Sequence, residues 1–97
     1  MIVVHDIFVC KPGNASKVAK LFKEWTEVAT NKNTTVMTDM TGGYHRVIVA
    51  ATFDSLAQYE ENMKTMGQTE AEKKMMEKFS NMNEMYLSGK REIFKVW

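Results

Sequence analysis

The sequence predicts a single α+β domain in which an antiparallel sheet carries helices on one face. Segments with strand and helix character follow one another over all 97 residues in the order strand, helix, strand, strand, helix, strand. Gly42-Gly43 separates the two middle strands, as the turn of a hairpin does. The strand after this turn, residues 44–53, is rich in β-branched and apolar side chains on both faces, so both faces need cover.

A turn separates the first strand from the first helix. Ile2–Cys10 is rich in Val and Ile and stops at Lys11-Pro12-Gly13, where proline removes a ladder donor and glycine permits a turn. Asn14 then offers an N-cap oxygen to a helix that ends in the polar run of residues 30–33. Apolar side chains recur in this helix at three- and four-residue spacing, which predicts an amphipathic helix. They are Ala15, Val18, Leu21, Phe22, Trp25, Val28 and Ala29.

The second and third strands, residues 34–40 and 44–53, predict a hairpin with a two-residue turn. Glycine supplies the positive φ that such turns require. The resulting register places opposite charges directly across from each other, which favours the hairpin. It pairs Thr38 with Val47 and Asp39 with Arg46.

Two capping boxes open helices after the third strand, each with a Ser or Thr three residues before a Gln or Glu. They are Ser55 with Gln58 and Thr69 with Glu72. Gly67 lies between them and divides this region into two helical pieces. A last strand is predicted within residues 84–97, with a glycine bulge or kink near its start at Gly89.

The element order fixes the sheet topology. A right-handed crossover joins strands one and two and leaves a slot between them, which the hairpin partner, residues 44–53, fills. The result is a four-stranded antiparallel sheet of order 4-1-3-2 with helices on one face, the ferredoxin-like βαββαβ arrangement, in one domain over residues 1–97. The apolar set of strand three expected to face the helices is Val47, Val49, Ala51 and Phe53.

The other sheet face has no helix to cover it. Strands one and three carry apolar side chains on both faces, so the bare face would be a large exposed apolar patch. A twofold homodimer with the two sheets face to face covers this patch.

Four features carry a resemblance to a known superfamily. They are the element order, the turn Lys11-Pro12-Gly13-Asn14, the segment Phe53-Asp54-Ser55-Leu56-Ala57 that opens the second helical region, and the late Gly89. In these the chain resembles the dimeric α/β-barrel superfamily, in particular its antibiotic-biosynthesis-monooxygenase-like and NIPSNAP-like members. The resemblance implies a homodimer with a small-molecule pocket between sheet and helices, lined in part from strand one.

Composition limits the classes of partner. The formal charge is +1, from 13 basic and 12 acidic residues, which gives no field that would attract nucleic acid or an anionic membrane. No apolar run approaches the ~18 residues of a membrane span, and the first ten residues lack signal-peptide character. The single Cys10 forms no internal disulfide, which favours a reducing compartment. We therefore expect a cytoplasmic protein without nucleic-acid or membrane partners.

Phe22, Trp25, Tyr59 and Met63 are predicted to line the pocket, with simple core packing as the alternative for each. The chain has nine methionines, some at M-x-x-M spacing that would suit Cu(I), but their shared stripes with aromatic residues favour core filling or an adaptable pocket wall. Neither a glycine-rich phosphate loop nor a His or Cys spacing typical of metal sites is present. We therefore expect no metal and no cofactor.

Asp6 and His45 are the candidate catalytic residues. Asp6 shares a face with apolar side chains in an inner strand, where an unpaired carboxylate costs several kcal/mol, so it is either a functional base or paired with Arg91 or Lys90. Histidine acts as a base near neutral pH, and strand parity places His45 on the pocket side. Its alternative is a satisfied or solvent-facing histidine.

Three functions remain open from the sequence. The first is a small homodimer that binds an apolar or aromatic molecule in the helix–sheet pocket. The second is an enzyme in the same pocket, a cofactor-independent monooxygenase or isomerase of the kind that the resemblance implies. The third is a structural or interaction domain whose core is filled by its own side chains.

Overall fold

The structure, a computed structural model, describes residues 1–29 and 31–97. Thr30, which belongs to the predicted helix-ending run, lies outside the described residues. The elements follow the predicted order, with the second helical region in two pieces on either side of Gly67. They are β1 Ile2–Cys10, α1 Ala15–Val28, β2 Thr34–Thr38, β3 Arg46–Phe53, α2 Leu56–Thr65, α3 Glu70–Lys78, a 3₁₀ segment Phe79–Glu84, and β4 Tyr86–Lys95.

The sheet has the order β2-β3-β1-β4 and every pair is antiparallel. This is the predicted 4-1-3-2 arrangement read from the other edge, and it confirms the α+β, ferredoxin-like fold. β3 lies between β2 and β1 as the crossover argument requires. Among the described residues, no helix combines the length and the apolar content needed to cross a membrane.

The β2–β3 connection keeps the predicted register but not the predicted turn. Thr38 pairs with Val47, yet the strands end at Thr38 and begin at Arg46, so the connection is longer than two residues. Asp39 explains the early end: its Oδ1 accepts from the Arg46 backbone N–H at 3.2 Å and its Oδ2 from Arg46 Nε at 3.0 Å. Gly43 lies under the same guanidinium, which a Cβ there would strike. The side chain of Asp39 thus takes over the backbone pairing that would have extended the hairpin.

The start of β4 also differs from expectation. The bulge lies at Leu87, because Val9 pairs with Ser88 while Cys10 pairs with Tyr86. Gly89 stays in register opposite Phe8. A Cβ added to Gly89 would make an ordinary van der Waals contact with the Phe8 ring.

The helices cover one sheet face and bury the predicted side chains of β3. Val47 and Val18 are fully buried, Val49 and Phe53 are also buried, and Ala51 is partly buried. The core cluster joins Val18 of α1 to Val47 and Cys10 of the sheet. This burial confirms that the larger apolar set of β3 faces the helices.

The helix starts behave differently from one another. Asn14 makes no side-chain cap bond, because its backbone is already helical (φ −101°, ψ −11°) whereas an N-cap acceptor normally needs an extended backbone. Ser55 Oγ does accept from the Gln58 N–H, at 3.2 Å. Thr69 and Glu72 form the complete capping box.

The opposite sheet face carries no helix, and the molecule is flat, with Cα extents of 36 × 36 × 19 Å. Its accessible surface is 6593 Å². A monomeric protein of 11.2 kDa exposes roughly 5,700 Å². The surface of this chain thus exceeds that of a typical monomer by about 900 Å².

Candidate functional site

A cavity of about 80 Å³ lies between the sheet and the helices. The sheet supplies apolar side chains from its covered face: Val4, Val49, Ala51 and Phe53. The helices and the segments that follow them supply mostly large side chains: Trp25, Ala29, Tyr59, Met63 and Met66.

A small set of polar groups completes the lining: Asn31, Thr34, Asn62 and Glu72. The Asn31 side chain already has hydrogen-bond partners within the protein. Its Nδ2 donates to the Thr52 carbonyl at 3.3 Å, and its Oδ1 accepts from the Asn33 N–H at 2.9 Å. Thr34 donates to the Asn31 carbonyl at 3.3 Å. Glu72 is therefore the charged group in an otherwise apolar and amide-lined space.

Glu72 is only 2% exposed, the one charged residue that is buried in the described part of the chain. Its Oε1 accepts from the Thr69 backbone N–H at 3.4 Å and from the Thr69 hydroxyl at 2.9 Å. In return, the Glu72 N–H donates to Thr69 Oγ1 at 3.1 Å. The capping box thus holds one carboxylate oxygen and fixes the direction of the other.

The pattern of α3 held a signal for this placement that the capping-box interpretation missed. Glu72 lies three residues before Met75 and seven before Phe79, so it belongs to the apolar stripe of that helix. Met75 is buried, and the same stripe carries Glu72 inward.

Three of the four predicted pocket residues, Trp25, Tyr59 and Met63, line the cavity. Phe22 does not. Its ring stacks on Phe8 at 5.1 Å and tilts against Phe79 at 5.4 Å, so it packs in the core. Trp25 meets the edge of the same Phe79 ring at 6.1 Å. Whether the lining residues bind a ligand remains a prediction.

Asp6 lies outside this cavity and is paired. Its Oδ1 accepts from Arg91 Nε at 2.6 Å, the ion pair that the sequence offered as an alternative to catalysis. This hydrogen bond raises the pKa of Arg91, so the guanidinium stays charged. Arg91 also lies over the ring of Tyr59, 5.9 Å from its centroid, and Tyr59 meets Phe53 edge-on at 5.2 Å. Asp6 is thereby linked to the cavity wall through Arg91 and Tyr59.

His45 does not reach the pocket side of the sheet. β3 begins at Arg46, so strand parity does not apply to His45, which is exposed in the turn with a positive φ of 55°. It borders an open surface groove together with Asp39, Met40 and Tyr44. The catalytic roles suggested for Asp6 and His45 remain predictions, and neither side chain lines the helix–sheet cavity.

Cys10 and the metal-ligating side chains add no second site. Cys10 is buried beside Val18 and Val47, and burial raises the pKa of its thiol, which lowers its reactivity. Within residues 1–29 and 31–97, no three His, Cys, Asp or Glu side chains come together in a group that could hold a metal ion.

Solved structures share this fold. No protein-family model matches the chain, and the search of curated proteins finds no match. An uncharacterized NIPSNAP domain protein from Burkholderia xenovorans has a TM-score of 0.77 at 8% identity, over 100% of this chain and 95% of that one. A NIPSNAP family protein of unknown function from Agrobacterium tumefaciens strain C58 has a TM-score of 0.76 at 12% identity, over 99% of this chain and 87% of that one.

An antibiotic biosynthesis monooxygenase has a TM-score of 0.67 at 14% identity, over 100% of this chain and 99% of that one. At such identities the likeness establishes architecture. The structural neighbours are those that the sequence resemblance predicted, and the chain has the ferredoxin-like fold of NIPSNAP-domain and antibiotic-biosynthesis-monooxygenase-like proteins.

Proposed function

We propose that this protein is a homodimer that binds a small molecule with an apolar or aromatic body in the helix–sheet cavity. The cavity itself carries the proposal: its walls are mostly aliphatic and aromatic, with a few polar groups among them, as in small-molecule sites generally. Trp25, Tyr59 and Phe53 supply three rings to one small space. The protein would act in a reducing, cytoplasmic compartment, where its buried thiol stays free.

The size of the cavity restricts the ligand. Sites for drug-sized ligands measure roughly 300–1,000 Å³, whereas this cavity measures about 80 Å³. A larger ligand requires the side chains of Met63 and Met66 to move. Methionine suits this role because its unbranched chain adopts many rotamers at low cost. The cavity thus fits a molecule of a few heavy atoms, and a larger one would have to displace Met63 and Met66.

The open sheet face supports the homodimer. Ile7 pairs with Ile48 across β1 and β3, and further apolar side chains lie on the same face. These are Val3, Val9, Met37, Ala50 and Phe94. The surface excess of about 900 Å² is close to the ~800 Å² that each partner buries in a standard interface. A second copy placed face to face would bury about as much surface on each chain as this chain exposes in excess of a typical monomer.

Xenon tests the cavity, since it occupies apolar cavities without needing polar contacts. Under xenon pressure, backbone amide NMR shifts should change at residues that line the cavity, such as Ala51 and Tyr59. Ala51→Leu, which fills the cavity, should abolish these changes. Ala57→Leu, on the exposed side of α2, is the matched control and should leave them intact. Wild-type spectra that do not change under xenon, or change equally in both variants, would exclude a ligand cavity here.

A further inference from the structure

We propose that Glu72 anchors a cationic nitrogen inside the cavity, so that the ligand is a small protonated amine with a short apolar group. This inference rests on the proposed function, because it assumes that the cavity takes a ligand. It adds the chemical class of that ligand and the residue that selects it.

The geometry of Glu72 leaves one oxygen for a ligand. Both hydrogen bonds from Thr69 go to Oε1. Oε2 accepts no hydrogen bond from the described residues, and no described side-chain polar atom is both enclosed and without a partner. The space that Glu72 borders is the helix–sheet cavity. Thr69 holds the carboxylate by Oε1, which leaves Oε2 as the oxygen that we assign to the ligand.

The charge of Glu72 favours a cation. The ion pairs among the described residues involve other carboxylates, and no Lys, Arg or His nitrogen of these residues lies within 4.0 Å of Glu72. The N-terminal end of α3 offsets part of a negative charge there, but a buried carboxylate is best compensated by a cation that also donates a hydrogen bond. A ligand ammonium group supplies both.

The walls favour the same class of ligand. Trp25, Tyr59 and Phe53 border the cavity, and aromatic faces attract cations electrostatically. An anionic ligand would meet the carboxylate with like charge, and a hydrocarbon would leave Oε2 without a donor. The volume of about 80 Å³ limits the apolar part of the ligand to a short alkyl or similarly small group.

Three probes that carry the same isopropyl group test the inference in the full chain: isopropylammonium, isopropanol and isobutyrate. We expect isopropylammonium to shift the amide resonances of cavity residues. Its affinity should be at least about 10-fold higher than that of isopropanol, because hydrogen bonds between charged groups are stronger than those with a neutral partner. Isobutyrate should not bind. Equal affinities for isopropylammonium and isopropanol would overturn the inference, and this ranking in the wild type requires no variant.

Glu72→Gln separates ligand recognition from helix capping, since Gln also completes a capping box at this position. The variant should keep its fold and lose about 10-fold or more of its affinity for isopropylammonium, while its affinity for isopropanol changes little. Gln58→Glu, at the corresponding and exposed position of α2, is the control and should leave both affinities unchanged. Unchanged amine binding in Glu72→Gln would contradict the assignment.

The xenon experiment keeps the two proposals apart. Xenon binding without a preference for the amine would leave the ligand cavity in place and refute the role of Glu72. Absence of both xenon and amine binding would refute the cavity and the inference together.

Discussion

The two faces of the sheet have similar apolar patterns and opposite surroundings. Val47 and Ile48 are neighbours in β3, yet Val47 is fully buried under the helices while Ile48 remains partly exposed on the open face. β1 repeats the contrast, since Phe8 pairs with Val47 and Ile7 with Ile48. The crossover places all three helices on one side, so the chain covers one face itself and leaves the other without a helix. The apolar side chains on that second face are the reason for the proposed homodimer.

Ile48→Glu should have the largest effect, and it should act on assembly. Because a twofold interface contains each of its residues twice, the substitution would place two carboxylates in the apolar surface. We expect the dimer dissociation constant to rise about 100-fold or more. Size-exclusion chromatography with light scattering measures the change.

Leu56→Glu is the matched control for this variant. Leu56 is an exposed apolar residue on α2, away from the open sheet face, so its replacement should leave the dimer intact. If both variants dissociate the dimer equally, or neither does, the open face is not the interface.

Val47→Ala should have the next largest effect, on folding. Removing two methyl groups from a fully buried site costs about 2 kcal/mol in the free energy of unfolding. The loss, measured by urea denaturation, should be the same at every protein concentration. Ile48→Ala, one residue away, should lose stability mainly at concentrations where the dimer forms. A concentration-independent loss at Ile48 would mean that this face contributes to the fold of the single chain.

Asp6→Asn, a substitution on the helix-covered face of the sheet, should have a small effect on stability and on ligand affinity. The ion pair is partly exposed, with 31% of the Asp6 and 47% of the Arg91 side chain accessible, so its loss should cost less than about 1 kcal/mol. Arg91 would still lie over Tyr59, but less firmly held, and affinity in the cavity should fall by no more than about threefold. A loss of binding as large as that expected for Glu72→Gln would instead make Asp6 a direct part of the site.

Asp39→Asn should have the smallest effect on stability, and this effect should be present at neutral pH and disappear in acid. The hydrogen bond from Arg46 lowers the pKa of Asp39 in the folded state, from an ordinary value of 3.8. The folded state thus holds the proton less tightly, and the stabilisation is present above pH 3.8 and is lost as the pH falls through the folded-state value. The wild type should be more stable than the variant at neutral pH and converge with it in acid, as thermal melts at stepped pH would show. A difference that persists undiminished in acid would contradict this.

The fold was predictable because its signals are local and agree with one another. Alternation in β1 and β3, the Thr69–Glu72 capping box and the glycine at Gly67 each specify one element, and the crossover rule orders them. The hairpin turn was missed because Asp39 competes with the backbone for Arg46, a tertiary choice that two glycines do not reveal.

The site was only partly predictable. Trp25, Tyr59 and Met63 could be placed from helical spacing, but the direction of Phe22 depends on the Phe8 and Phe79 rings that surround it. Asp6 drew attention as a charge in an apolar strand, although an arginine on the adjacent strand pairs with it. Glu72 resembled an ordinary capping residue, because its burial depends on how α3 packs against α1.

Sedimentation equilibrium of the wild-type chain across micromolar concentrations tests most directly whether a second copy covers the open face. A homodimer predicts a mass of about 22 kDa, twice the chain mass of 11.2 kDa, which falls towards the monomer only on dilution. A mass of 11.2 kDa at every concentration would contradict it, and the open face of β1 and β3 would then be exposed in solution.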